Sequence, residues 1–181
     1  MAALMLGLIA MTGCDTDNNE HQRLVAEADL VNAGGPLVLA AMNTGSPSDA
    51  NDNFVPIEFV NVVFSARPLN DTMVIPQGSP YSTFNVTSYD MIWRPGPGAP
   101  AALTDYNVTR SNLTVTVPVD DEAVAAILVG NVSMKTEPWF PGNPFTADLE
   151  IIFYGHESGS EHEVALHAGI NVQFVATISD Q

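Results

Sequence analysis

From Val164 to Ile178 an apolar or small residue recurs at every second position: Val164, Leu166, Ala168, Ile170, Val172, Phe174, Ala176 and Ile178. The positions between them are mostly small or polar, among them His167, Asn171, Gln173 and Thr177. Side chains alternate faces along an extended strand, so this segment can lay one face on a core and turn the other to water. A helix would scatter the same residues around its circumference. The spacing predicts a long strand with its even-numbered members inward.

The theme recurs upstream. Leu113, Val115 and Val117 alternate with Asn112, Thr114 and Thr116, and Ala147, Leu149, Ile151 and Phe153 alternate with Asp148, Glu150, Ile152 and Tyr154. Between residues 84 and 93 the phase slips, from even Phe84 and Val86 to odd Tyr89, Met91 and Trp93. One extra residue near Thr87 and Ser88, a β-bulge, reconciles the halves. Residues 57–66 are apolar on both faces and suit a central strand. The Ala-rich stretch 122–129 reads as a strand that Val132 and Met134 continue, in phase with Val124, Ala126 and Leu128. Residues 155–163 read as a hairpin tip closed by the loop Ser158-Gly159-Ser160.

Seven to eight short strands separated by Gly, Pro, Asn and Asp predict an all-β, two-sheet sandwich over residues 24–181. The run Val86 to Trp93 resembles the third strand of immunoglobulin-like and fibronectin-type-III-like domains. That resemblance implies an immunoglobulin-like β-sandwich in which Trp93 or Tyr89 packs between the sheets.

At the other end, residues 3–11 form an apolar run followed by Thr12, Gly13 and Cys14. The run falls short of the roughly 20 apolar residues that cross a bilayer, and matches the apolar region of a signal peptide. Met11-Thr12-Gly13-Cys14 resembles the lipobox of bacterial lipoproteins. This implies cleavage after residue 13 and acylation of Cys14, the palmitate-type anchor of that family. Residues 14–23 then become a lipidated, acidic tether, and residues 1–13 the signal peptide. The whole layout resembles lipoproteins of Gram-negative bacteria, a resemblance that implies a place in the cell envelope, membrane-anchored by lipid and extracytoplasmic, periplasmic or at the cell surface.

Charge narrows the partners. Five basic residues stand against twenty-one acids, for a formal net charge of −16. Nucleic acid and anionic headgroups need clustered Lys and Arg, so neither is an expected partner; the membrane is reached through the lipid. Cations and other envelope proteins fit better.

Three segments are candidate sites. Asp49, Asn51, Asp52 and Asn53, with Pro56 and Phe59 following, resemble the calcium linker of cadherins, although each later step is one residue longer. The resemblance implies Ca²⁺, which takes oxygen ligands from such loops. His156 and His162 would face each other across a three-residue hairpin loop and could hold a metal such as zinc. Trp139, Phe140 and Phe145, set among prolines, could stack on a sugar, anchor a partner, or fold back to cap the sandwich.

No nucleophile elbow, metalloprotease helix or phosphate-binding glycine loop occurs. The expected function is therefore a non-enzymatic envelope lipoprotein whose sandwich binds protein or joins a surface assembly. The alternative is a ligand-binding module for carbohydrate or calcium. An exposed Trp139 in a groove would favour the alternative; a long unpaired edge strand would favour assembly by strand addition.

Overall fold

The computed structural model describes residues 22–31, 35–44, 53–140 and 142–178. Its strands are β1 (Leu24–Val31), β2 (Leu37–Asn43), β3 (Glu58–Pro68), β4 (Thr83–Pro95), β5 (Val108–Pro118), β6 (Asp121–Gly130), β7 (Phe145–Glu157) and β8 (Val164–Ile178). A 3-10 segment, Ala101–Tyr106, and a one-turn helix α1, Val132–Lys135, complete the described elements. The strands form a two-sheet β-sandwich, ordered β1-β3-β6 in one sheet and β2-β8-β7-β4-β5 in the other. Every pairing is antiparallel except β2 with β8, which run parallel.

The alternation seen in the sequence builds the core directly. Leu166, Val172 and Phe174 of β8 are buried, as are Phe145, Ala147, Leu149, Ile151 and Phe153 of β7. From the facing sheet, Val60, Val62, Phe64 and Ala66 of β3 point inward to meet them. Phe64 sets its ring edge-on to Phe153, with centroids 4.9 Å apart and planes at 87°, a favoured aromatic geometry. β3 is the central strand of its sheet, as its two apolar faces predict.

The phase slip in β4 is a bulge. Val86 pairs with Gly155 and Ser88 with Tyr154, which leaves Thr87 as the extra residue. Trp93 is thereby turned inward and is 2% exposed, 5.5 Å from the ring of Phe174, whereas Tyr89 is half-buried. Gly155 answers the close approach of the bulged strand. A Cβ there would stand 2.5 Å from the Asn85 carbonyl oxygen and 2.6 Å from the Phe84 ring.

Between β5 and β6 the chain changes sheets within two residues. The Val119 N–H donates to Ser82 O at 2.8 Å, and the next N–H, of Asp120, donates to Ala66 O at 2.7 Å across the sandwich. Asp120 sits at φ 60°, a conformation that Asp tolerates better than most residues.

Two sequence expectations need correction here. β6 is a strand, with Val124, Ala126 and Leu128 facing out and Ile127 and Val129 buried, but it ends at Gly130. Val132 and Met134 do not extend it, because Asn131 Oδ1 accepts the Met134 N–H at 2.8 Å and starts α1 instead. In a stretch with alanine at positions 123, 125 and 126, both faces are apolar, so periodicity alone cannot choose. Pairing with β3 chooses. The second correction concerns the 155–163 tip. The turn lies at Ser158 and Gly159, but β8 begins only at Val164, so Val164 pairs with Gly155.

Candidate functional site

The register of the β7–β8 ladder decides the histidine pair. With Gly155 opposite Val164, the ladder is one step out of the register that would set His156 across from His162. His156 Nδ1 lies 3.0 Å from Glu157 O, and the His162 backbone N–H donates to Ser160 Oγ at 3.2 Å. No group of three or more metal-ligating side chains occurs among the described residues. Of the calcium candidates, Asp49, Asn51 and Asp52 lie outside the described residues, as does Cys14. Asn53 is exposed, beside Phe54, which bridges to Asn43.

The aromatic segment folds back on the sandwich. Phe140 and Phe145 are buried against Phe174, at 5.5 Å and 4.4 Å between centroids. Trp139 is half-buried, ringed by Phe140, Phe145 and Tyr106 at 5.7, 6.1 and 6.2 Å. These rings close one end of the core. Phe140 and Phe145 are buried and offer no free ring face for stacking, while Trp139 keeps part of its surface exposed.

Beside this cap lies a feature that sequence reasoning missed. Lys135, the single lysine of the chain, has a side chain only 1% exposed. Its Nζ donates to Glu58 Oε1 at 2.5 Å and to Pro56 O at 2.6 Å. Glu58 also accepts from Ala40 N at 3.3 Å, while its Oε2 is buried without a hydrogen-bond partner. Burial pushes Glu58 up and Lys135 down from their ordinary values, each partly opposed by the other's charge. The one signal in the sequence was the solitary lysine in a chain so short of basic residues. Nothing linked it to a glutamate 77 residues away.

At the opposite end Glu157 clamps the start of β1. Its buried carboxylate accepts the N–H groups of Arg23 and Leu24 at 2.5 and 2.6 Å, just where β1 begins.

The outer face of the five-stranded sheet carries two polar networks. Arg110 lies 3.4 Å over the Tyr154 ring and meets Glu163 through two hydrogen bonds of 2.8 and 2.9 Å. The Tyr154 hydroxyl donates to Asp90 at 2.8 Å. The Arg110 hydrogen bonds hold Glu163 below its ordinary range, and Asp90 raises Tyr154. A depression of about 510 Å³ over Gly169 holds the second network. There Glu150 accepts from Arg94 and meets His167 Nδ1 at 3.2 Å, while Asn171 Nδ2 donates to Asp148 at 3.0 Å. Glu150 is lowered, first by Arg94 and then by His167. Both networks are internally paired, and exposed pairs of this kind contribute little to stability.

The remaining feature is the outer edge of the three-stranded sheet. The Leu69 N–H donates to Arg23 O at 2.7 Å, which extends the β1–β3 ladder by one step. Backbone groups alternate in direction along a strand, so odd residues of β3 bond to β1 and even ones bond to β6. Phe64 pairs with Ala123. Ala123, Ala125 and Ile127 therefore aim backbone groups at β3, and Glu122, Val124, Ala126 and Leu128 aim theirs outward. In agreement, the Glu122 N–H donates to the Asp121 carboxylate at 2.8 Å. Val124, Ala126 and Leu128 find no backbone partner on that side among the described residues.

The same residues expose apolar side chains. Val124 is 64% and Leu128 39% exposed, and Phe59, paired with Leu128, is 54% exposed. Natural edge strands are usually protected by a lysine, a proline or a bulge. Here one irregularity falls near Gly130, and no charge occurs from Ala123 to Met134. The signal is in the sequence, in the uncharged run itself, but its alanines leave open which side chains it exposes. Neither a protein-family model nor a curated protein matches this chain.

Proposed function

We propose that the chain is a non-enzymatic lipoprotein of the bacterial cell envelope, anchored through an acylated Cys14, whose sandwich binds protein by strand addition. The observation that carries this reading is the edge of β6: outward backbone groups at Val124, Ala126 and Leu128 beside exposed apolar side chains. An added strand satisfies those groups and covers the apolar face together. No described helix is long and apolar enough to cross a membrane. Two or more acyl chains suffice for a stable anchor.

The strand order supports an immunoglobulin-like assignment. First, second and fifth strands of the core share one sheet in that fold, and third, sixth and seventh the other. Setting aside β2 and β5 as additional edge strands, β1-β3-β6 and β4-β7-β8 follow the same division. A buried tryptophan, Trp93 on β4, supports the same reading, since that fold carries one on its third strand.

Two substitutions in the full chain test the two halves of the reading. Cys14→Ser should abolish incorporation of labelled palmitate and move the chain from the membrane to the soluble fraction. Val124→Lys should leave anchoring intact while removing most of the cross-linked complexes recovered from intact cells, since a lysine on an edge opposes pairing. Unchanged fractionation would end the lipoprotein reading, and unchanged cross-linking the strand-addition reading.

A further inference from the structure

We infer that the strand added at β6 is the β6 of a second copy of this chain, antiparallel and centred on Ala126; this rests on the strand-addition reading. Three observations point to self-pairing. First, the outward backbone groups belong to the even residues, and a two-fold axis through Ala126 matches even with even. Ala126 then faces Ala126, and Val124 of one copy faces Leu128 of the other. Each pair is of the type that exchanges both N–H···O bonds.

Second, the exposed side chains on that face are apolar and match in size, large against large at the flanks and small against small at the axis. Phe59 stands next to Leu128 and Val63 next to Val124, with Asn61 next to Ala126 between them, so the joined sheets carry two apolar rows across the junction on either side of the axis. Third, the charges do not oppose the register. Asp121 and Glu122 come to lie beside the uncharged Val129–Asn131 end of the other copy, so no acid meets an acid. The result is a continuous six-stranded sheet, β1-β3-β6 joined to its symmetry mate.

Charge supplies a second signature. Each copy carries a formal −16, and screening shortens the Debye length from about 30 Å at 0.01 M salt to about 8 Å at 0.15 M. Self-pairing should strengthen as salt is added. Capture of a basic strand from another protein should weaken.

Single cysteines introduced into the full chain test the register, with the unsubstituted chain, carrying Cys14 alone, as the blank. Facing positions of this type stand about 5.5 Å apart at Cα, within disulfide reach. Under mild oxidation Ala126→Cys should yield a species of twice the chain mass. Val124→Cys and Leu128→Cys should each fail alone and succeed when mixed, and the yield should rise with salt. An Ala126→Cys variant that links only to a different protein overturns self-pairing and leaves strand addition standing. One that links to nothing overturns both.

Discussion

Replacing Phe64 with alanine is expected to lower the unfolding free energy by about 3–5 kcal/mol, the usual cost of deleting a buried aromatic ring. Phe64 is fully buried, and its contact with Phe153 crosses from one sheet to the other. The substitution therefore opens a void between layers that meet through side chains, not through a shared hydrogen-bond ladder. Neighbours anchored in two rigid sheets can collapse into that void only in part. Urea denaturation should show the midpoint falling with little change in slope. Phe153→Ala should behave alike, and the two together should cost less than their sum, with a coupling of about 0.5–1.5 kcal/mol for the lost ring pair. Strict additivity would mean that the two rings stabilise the sandwich independently.

Lys135→Met is expected to cost a similar amount, about 3–5 kcal/mol, for a different reason. The methionine fills most of the space but strips Glu58 of its cation, and the Glu58 Oε2 already lacks a partner. An uncompensated carboxylate in that position carries most of the penalty. Removing both charges, as Glu58→Leu with Lys135→Met, should recover much of the loss, because a buried pair and an apolar pair of like volume are often close in energy. The pair also sets a pH dependence. Glu58 is raised above its ordinary 4.5 by burial, so the native state holds that proton more tightly than the unfolded chain. Stability from this group is full below 4.5 and is lost as pH climbs through the raised value. The advantage of the parent over Glu58→Gln should shrink as pH rises across that window, which paired denaturation curves would measure.

The parts of this fold that were legible in the sequence are those where one residue pattern has one reading. β8 alternates Leu166, Val172 and Phe174 with polar neighbours, and it has the orientation expected of it. Even the irregularity in β4 was visible, because a phase slip between Val86 and Tyr89 has one economical explanation, an inserted residue. Legibility failed where local sequence is indifferent. The alanines of β6 are apolar in either phase, and only the corner at Asp120 and the ladder with β3 determine which face turns inward. The histidine register failed because residues 160–163 add to one side of the tip only, after the turn has closed at Gly159. Glu58 and Lys135 meet across distant elements, and their pairing depends on α1, which in turn depends on the Asn131 cap. The parallel pairing of β2 with β8 is likewise a product of topology and has no local signature.

Residue-resolved amide exchange along β6 addresses the free edge most directly. In dilute protein the Val124 and Ala126 amides should exchange quickly between protected neighbours at Ala123, Ala125 and Ile127, and should become protected as the protein is concentrated at moderate salt. Slow exchange at Val124 and Ala126 in the dilute monomer would mean that the edge is already covered, and would contradict the account.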